Sequence, residues 1–242
     1  MTERLVHQQL STYLESNNLL TQSQYGFRSG RSSEMALLSV TEPILRGMED
    51  HKFSLLCLLD LSKAFDWVPH HLLLDKLRRL GISDPWFQSY LTVVVVIQVV
   101  RLGNTLSDSA GITCGVPQAS ILGPVFFIVH TNQIPSLIKD RVPRTRVTVY
   151  ADDMQTLNQA TKKHVPQMFI DASVGVETAG QCFGEVGLKM NSSKTQSILC
   201  GTAQALVRIS PVPSLNIGGE IVSTENVVKD LGMITDRHMT FS

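Results

Sequence analysis

Apolar residues recur at helical spacing in several stretches of this chain. The N-terminal stretch places these side chains on one helical face: Leu5, Val6, Leu10, Tyr13 and Leu14. Spacing and capping residues together predict helices over residues 1–16, 33–48, 69–80, 119–129 and 163–187. Gly175 and Gly180 predict a break in the last of these helices, because glycine weakens a helix interior.

Apolar and β-branched runs predict strands between these helices. They cover residues 53–60, 92–100, 111–116 and 196–200. Two hairpins are also predicted, over residues 147–157 and 215–222, and Gly218 and Gly219 form the turn of the second. Residues 135–146 are polar and basic, so they are predicted to form a solvated connector.

Two adjacent carboxylates, Asp152 and Asp153, lie at the tip of the first hairpin. β-branched residues lead into the pair, and an apolar and polar alternation follows it. Two like charges side by side repel each other unless a cation lies between them. Carboxylates, backbone carbonyls and water are the ligands that Mg²⁺ prefers. Taken alone, the pair is better explained as an ordinary surface turn, because aspartate is common in turns.

A third carboxylate changes this interpretation. The apolar run that begins at Phe53 ends at Asp60, which places an acid at the exit of a buried strand. Asp60 is far from Asp152 and Asp153 in sequence, so only the fold can bring the three together. A pair of Mg²⁺ ions held by carboxylates at strand ends is the apparatus of nucleotidyl transfer. The three acids are therefore candidate catalytic and metal-binding residues.

Three motifs in this order carry a family resemblance: residues 60–66 (DLSKAFD), 115–124 (GVPQASILGP) and 150–153 (YADD). Together they resemble the reverse transcriptase domain of a non-LTR (LINE-type) retrotransposon, truncated at both ends. The resemblance implies an α+β fold, a right-hand polymerase palm with an antiparallel sheet, packed helices and partial fingers. It assigns residues 1–52 to partial fingers and 53–242 to the palm, with a fingers insertion at about 67–110 and no thumb.

The resemblance also implies a role for individual residues. RNA-directed synthesis of DNA would use an RNA template, a DNA primer, deoxynucleoside triphosphates and two Mg²⁺ ions, with Mn²⁺ as an alternative. The carbonyl of Leu61 would join the three aspartates as a metal ligand. Substrate contacts would come from Phe65, Gln118 and Lys194. Nucleic-acid contacts would come from the following residues: Arg28, Arg31, Gly115, Pro117 and Ala119.

Some features depart from the family pattern. Ala119 stands where glycine is common, and residues 92–100 are rich in valine where the family carries polar and basic residues. Two alternatives therefore remain open. One is a decayed, catalytically inactive copy that binds nucleic acid, and the other is a cellular protein that keeps the palm as an interaction scaffold.

Composition bounds the class of protein. The 242 residues are 43% hydrophobic and 17% charged, enough to build a core. Lys plus Arg and Asp plus Glu are 21 each, so any nucleic-acid surface must be a local patch. The four cysteines show no metal-binding spacing and are expected to be free thiols. No signal peptide or membrane-spanning run is recognisable, which favours an intracellular protein of the nucleus or cytoplasm, and the oligomeric state stays open.

Overall fold

The computed structural model describes residues 2–82, 85–93, 97–99, 101–108, 110–111, 113–116, 120–209, 211–217 and 219–240. The α-helices are α1 (Thr2–Ser16), α2 (Ser33–Glu49), α3 (His70–Arg79), α4 (Pro85–Val93), α5 (Gly123–Thr131), α6 (Ile134–Arg141), α7 (Val165–Glu185) and α8 (Ala203–Leu206). The strands are β1 (Phe53–Leu59), β2 (Ile97–Gln98), β3 (Arg101–Leu102), β4 (Thr105–Leu106), β5 (Ala110–Gly111), β6 (Arg146–Tyr150), β7 (Asp153–Ala160), β8 (Gln196–Cys200), β9 (Leu215–Ile217), β10 (Glu220–Val222), β11 (Val227–Asp230) and β12 (Met233–Asp236).

The chain forms two compact units. The first, which we call the insertion unit, comprises Met1–Leu20, Lys63–Asn132 and Glu185–Leu188. The second, which we call the sheet unit, comprises Thr21–Ser62, Gln133–Gly184 and Lys189–Ser242. None of the helices in the described ranges combines the length and the apolar character that a bilayer crossing requires.

The sheet unit is built on a four-stranded antiparallel sheet in the order β6-β7-β1-β8. Most residues of the two middle strands are buried; β1 is largely apolar, whereas β7 buries several polar side chains. One core cluster packs α2 against the sheet and the last hairpin, and contains Val40, Ile44, Leu56, Leu157, Ile198, Cys200, Val228 and Met239. Ser32 caps α2 by accepting a hydrogen bond from the Met35 amide at 3.3 Å.

The insertion unit packs around aromatic rings. Phe65 stacks on Phe127 of α5 with ring centroids 4.5 Å apart, and Phe126 meets the rings of Phe87 and Tyr90 edge-on. The Glu3 carboxylate accepts hydrogen bonds from the Tyr90 hydroxyl at 2.7 Å and from two backbone amides just before α5. These contacts fix the start of α5, in which Gly123 and residues 125–131 are buried.

Several predicted elements need correction. The helix predicted over residues 119–129 begins at Gly123, because Pro124 occupies the first turn, where proline is favoured. The predicted connector contains α6, which buries Ile134 and Ile138 one turn apart. Among the described residues of the predicted strand over 111–116, only Gly111 lies in a strand, and Cys114 makes an isolated bridge to Pro69.

Two further corrections concern glycine and valine. α7 is continuous through Gly175 and Gly180, because burial of its apolar face outweighs the cost of two glycines in the helix. Within the valine-rich stretch, α4 extends to Val93 and only Ile97–Gln98 forms a strand, while residues 94–96 and 100 lie outside the described residues. The predictions of both hairpins, of the strands over residues 53–60 and 196–200 and of the free cysteines are confirmed.

Candidate active site

The antiparallel register brings the candidate acids to one end of the sheet. Leu59, the last residue of β1, pairs with Met154, so Asp60 follows β1 beside Asp153 at the start of β7. On the other side of β1, Leu58 pairs with Gln196, so the residues before β8 reach the same end. We call this the acid end of the sheet. This register therefore brings three strand ends together: the end of β1 and the starts of β7 and β8.

Asp152 lies in the two-residue loop that joins β6 to β7. Tyr150 pairs with Asp153, so the loop consists of Ala151 and Asp152 alone. Ala151 has a φ of 58°, and the first central residue of such tight hairpins commonly takes a positive φ. The predicted tip of the hairpin is thus confirmed, and Ala151 itself is buried.

The carboxylates of the acid end interact electrostatically. Burial raises the pKa of Asp152, and the charge of Asp60 raises it further. Burial, followed by the charges of Asp152, Asp230 and Asp60, raises the pKa of Asp153 to about 6. As a whole residue Asp153 is exposed, so water reaches it. A bound cation would offset the charges of the neighbouring carboxylates, so it would relieve the part of the Asp153 pKa shift that repulsion causes.

A lysine approaches the same group of acids. The Lys194 Nζ lies 3.5 Å from the Asp60 Oδ2. That oxygen is buried, and it has no hydrogen-bond partner among the described residues, because the lysine stands close without a hydrogen-bonding geometry. Lys194 itself is 67% exposed, so the contact is a loose ion pair at the protein surface. Asp60 thus keeps an acceptor that a ligand can use.

The backbone at Leu61 joins this end of the sheet to the segment that precedes β8. Leu61 forms an antiparallel bridge with Met190. The two hydrogen bonds of the bridge run from the Asn191 amide to the Asp60 carbonyl, at 2.8 Å, and from the Ser62 amide to the Lys189 carbonyl, at 3.0 Å. This pairing does not use the Leu61 carbonyl, which was predicted to bind metal.

A fourth carboxylate, Asp230, was missed by the sequence analysis. It ends β11, is 5% exposed, and accepts a hydrogen bond from the Gln155 Nε2 at 2.6 Å. Burial raises the pKa of Asp230 to about 6. The signal in the sequence was weak: Val228 and Asp230 share one face of a strand, and an acid on an apolar face is unusual.

These side chains surround one cavity of about 590 Å³ in the sheet unit. Three of the four acids, Asp60, Asp153 and Asp230, line it together with Lys194 and Gln155, and Asp152 lies outside the lining. Gln155 is 2% exposed, and its Oε1 has no hydrogen-bond partner in the described part of the chain. The cavity therefore offers two oxygen acceptors without hydrogen bonds from the described residues, Asp60 Oδ2 and Gln155 Oε1, and two lysines line it, Lys194 and Lys229.

The donor chemistry of the acid end suits a hard divalent cation. Carboxylates and the side-chain amide of Gln155 line the cavity there, the carboxylates raise one another's pKa, and the Asp60 Oδ2 is buried without a hydrogen bond. As the described side chains lie, no three His, Cys, Asp or Glu groups define a coordination shell. The residues thus fit Mg²⁺ in donor type, and an ion's position is not defined by their placement.

The reverse transcriptase (RNA-dependent DNA polymerase) family model matches residues 1–234. The chain belongs to the reverse transcriptase family. It is 28% identical, over 99% of its length, to the probable RNA-directed DNA polymerase from transposon X-element of Drosophila melanogaster. It is likewise 28% identical, over its full length, to the RNA-directed DNA polymerase from mobile element jockey of Drosophila funebris. The chain spans about a quarter of these relatives (26% of each), and the predicted likeness to retrotransposon polymerases is confirmed.

The fold of this reverse transcriptase domain is also that of solved structures. A telomerase of Candida tropicalis, determined in complex with a fragment of telomeric RNA, matches 99% of the chain with a TM-score of 0.63 at 13% identity. The chain covers 36% of that structure. The apo telomerase of the same organism matches the whole chain with a TM-score of 0.59 at 12% identity. The predicted right-hand polymerase fold is confirmed.

Other predicted site residues of the reverse transcriptase lie in the insertion unit. Phe65 is half-buried under its stack on Phe127. Gly115 has a φ of 94°, and a Cβ there would lie 2.9 Å from the Asp66 carbonyl oxygen, so only glycine suits this position. Its amide donates to the Val68 carbonyl at 2.8 Å. Pro117, Gln118 and Ala119 lie outside the described residues.

The two predicted template arginines make contacts within the sheet unit. The Arg28 Nη1 donates to the Thr21 carbonyl at 2.7 Å. The Arg31 Nη1 donates to the carbonyls of Gln22 and Gln24 at 2.7 and 3.0 Å, and its guanidinium lies 5.0 Å from the Tyr25 ring centroid. Both arginines therefore stabilise their own loop, and their contact with nucleic acid stays a prediction.

Proposed function

We propose that this chain forms the polymerising part of an RNA-directed DNA polymerase. The observation that carries the proposal is the acid end: Asp60, Asp152 and Asp153 interact there, and Lys194 stands beside them. In the proposed reaction, the primer 3′-oxygen bonds to the α-phosphorus of a deoxynucleoside triphosphate, pyrophosphate leaves, and the hydroxyl proton passes to solvent. Residues 1–52 would serve as fingers and 53–242 as palm, with the insertion at about 67–110.

Asp60 and Asp152 are the proposed shared ligands of two Mg²⁺ ions, with Asp153 and the Leu61 carbonyl in support. When bound, such ions activate the attacking hydroxyl and neutralise the leaving phosphates. The protein's own contribution is to hold carboxylates that repel one another at the end of a rigid sheet. This repulsion favours the binding of divalent cations and of the nucleotide phosphates that accompany them.

Lys194 is the proposed contact for the triphosphate. Its ammonium group is exposed at the mouth of the cavity, and its ion pair with Asp60 is long enough to be exchanged for a phosphate oxygen. Arg28, Arg31, Gly115, Pro117 and Ala119 are the proposed template contacts. Because the net charge of the chain is zero, we expect primer-template binding to be weak and to fall as salt rises.

The test is primer extension on a homopolymer RNA template with Mg²⁺. We expect extension by the chain itself and its loss in Asp152→Asn. Asp140→Asn is the matched control, since Asp140 is an exposed acid on α6 in the same unit. Binding of primer-template without extension, by a folded chain, would contradict the proposal and favour a nucleic-acid-binding remnant.

Phe65 is the proposed selector of deoxyribose over ribose. A bulky ring beside the incoming sugar would exclude a 2′-hydroxyl, although the stack on Phe127 also gives Phe65 a packing role. The two roles are separable: Phe65→Val should raise ribonucleotide incorporation relative to deoxynucleotide incorporation, whereas Phe127→Leu should lower stability alone. An unchanged sugar ratio in folded Phe65→Val would leave only the packing role.

A further inference from the structure

The segment before α2 lies beside the strand that leads into the acidic turn. The Tyr25 amide donates to the Val149 carbonyl at 2.7 Å, and the Val149 amide donates to the Ser23 carbonyl at 2.8 Å. Gln24 and Val149 therefore form a parallel bridge along the outer strand of the sheet. This pairing brings the side chain of Gln24 to the next residues of β6 and to the turn.

The Gln24 side chain binds both backbone groups of Ala151. Its Oε1 accepts a hydrogen bond from the Ala151 amide at 3.0 Å, and its Nε2 donates to the Ala151 carbonyl at 3.3 Å. The same Oε1 accepts from the Gly26 amide at 2.7 Å. Gln24 is 3% exposed, so water does not compete for these three hydrogen bonds.

Ala151 is the residue that most needs such support. Its φ of 58° is a left-handed conformation that residues with a Cβ rarely adopt, and it costs about 1–2 kcal/mol. The conformation decides the direction in which the following residue, Asp152, leaves the turn. A side chain that satisfies both backbone groups of Ala151 therefore also fixes the direction of Asp152.

Gly26 allows the loop to approach this closely. A Cβ at Gly26 would lie 2.3 Å from the Ala151 amide nitrogen and 2.9 Å from its Cα. Both contacts are with backbone that cannot rotate away, so any larger residue would push the loop and the turn apart. Gln24 and Gly26 thus act on the same residue of the acidic turn.

We propose that Gln24 is a positioning residue: its amide holds the Ala151 backbone so that Asp152 and Asp153 are pre-set to bind a divalent cation. The inference rests on the proposed function, because it assumes that these acids bind metal. It assigns Gln24 a role separate from contact with template or nucleotide. Outer-shell groups that orient metal ligands typically contribute about 10–100-fold to metal affinity.

The sheet provides a matched control at the other end of β7. The Gln159 Nε2 donates to the Pro43 carbonyl at 2.7 Å and to the Ser54 Oγ at 2.8 Å. Like Gln24, Gln159 uses its side-chain amide to hydrogen-bond a carbonyl of a different element. Gln159 lies far along β7 from the acids. A purely structural loss of an amide should affect both glutamines alike.

The experiment measures Mn²⁺ binding to the full chain by electron paramagnetic resonance, together with thermal unfolding. We expect Gln24→Met to weaken Mn²⁺ binding about 10-fold or more, and Gln159→Met to leave it unchanged at a similar loss of stability. Wild-type affinity in folded Gln24→Met would overturn the inference alone. No Mn²⁺ binding by the wild type would overturn the proposed metal site, and the inference with it.

A second variant keeps the test decisive if Gln24→Met does not fold. Ala151→Gly removes the left-handed strain, so the turn should keep its conformation with less help from Gln24. We expect the double variant, Gln24→Met with Ala151→Gly, to fold and to bind Mn²⁺ more weakly than Ala151→Gly alone. Equal Mn²⁺ affinity of the double variant and of Ala151→Gly alone would overturn the inference.

Discussion

The two ends of the four-stranded sheet differ in how their polar groups are used. At the end where β1 begins and β7 and β8 finish, which we call the far end, Gln159 donates both amide hydrogens to protein acceptors. The Lys52 Nζ there lies 2.8 Å from the Asp50 carboxylate, whose pKa is lowered by this hydrogen bond. At the acid end, the pKa values of Asp152, Asp153 and Asp230 are raised instead.

This difference indicates that polar groups at the far end stabilise the folded chain, whereas those at the acid end destabilise it. The side chains of Gln159 and Lys52 at the far end are satisfied by the protein itself, so they stabilise the folded chain. The buried Asp60 Oδ2 and Gln155 Oε1 at the acid end have no hydrogen-bond partner among the described residues, and Lys194 lies 3.5 Å from the former. Unsatisfied buried acceptors and mutually repelling acids destabilise a protein and are retained where they bind a ligand. Each end can be tested by mutation.

The largest expected effect is the loss of polymerase activity when the acid end loses a ligand. Asp60→Asn keeps the size of the side chain and removes its charge. We expect primer extension to fall by about 100- to 1,000-fold or more, as when a group that stabilises transition-state charge is removed. Single-turnover primer extension measures this fall. Activity within a factor of a few of the wild type would show that Asp60 holds no catalytic ion.

The second prediction concerns the stability cost of Asp230. Its folded-state pKa of about 6 lies above the usual value of 3.8, so its charged form disfavours folding above pH 6. A difference of about two pKa units corresponds to at most about 3 kcal/mol. We therefore expect Asp230→Asn, which can still accept from Gln155, to stabilise the metal-free chain at pH 7 by up to about 3 kcal/mol.

The sign of this effect depends on pH. As the pH falls from about 6 to about 4, the wild-type Asp230 becomes protonated in the folded chain before it does so in the unfolded chain. The advantage of Asp230→Asn should therefore shrink over this range and vanish below about pH 4. Denaturant unfolding at pH 7 and at low pH measures it. A difference that does not change with pH would mean that the Asp230 charge carries no penalty.

The third prediction tests the far end. Gln159→Leu removes the donor to the buried Ser54 Oγ and to the partly buried Pro43 carbonyl. We expect a loss of about 1–3 kcal/mol in the free energy of unfolding. Primer extension at a temperature where the variant is folded should match the wild type. Reduced extension by the folded variant would contradict the division of roles between the two ends.

How much of this could be predicted from the sequence depends on the range of the interactions. Asp60 and the turn at Asp152 were predicted because each follows directly from a strand pattern in adjacent residues. The burial of Asp230 was not, since it depends on packing of the last hairpin against β7. The contact of Gln24 with Ala151 joins positions far apart in sequence, and no pattern in adjacent residues predicts it.

The mistaken elements have the same physical origin. Gly175 and Gly180 predicted a helix break, but burial of the apolar face of α7 outweighs the cost of two glycines in its interior. Pro135 and the basic residues suggested a loop, although proline is favoured in the first turn of α6. Glycine does weaken a helix interior, but packing decided the structure of α7. Proline does interrupt many helices, but its position in the first turn made it compatible with α6.

The smallest expected effect concerns the lysines of the two ends. Lys194 and Lys52 each form an ion pair with an aspartate near one end of β1, and both pairs are partly exposed. Because exposed ion pairs contribute about 0–1 kcal/mol, we expect Lys194→Met and Lys52→Met to change the free energy of unfolding little. They should differ in kinetics, since only Lys194 lies beside the cavity.

For Lys194→Met we expect the KM for deoxynucleoside triphosphate to rise about 10-fold with a smaller change in kcat, because one phosphate contact is lost. Lys194→Arg keeps the charge and should recover part of this loss. Steady-state extension at varied nucleotide concentration measures both constants, with Lys52→Met as the control. An equal KM in Lys194→Met and Lys52→Met would remove Lys194 from the nucleotide site and leave the ion pair with Asp60 as its only role.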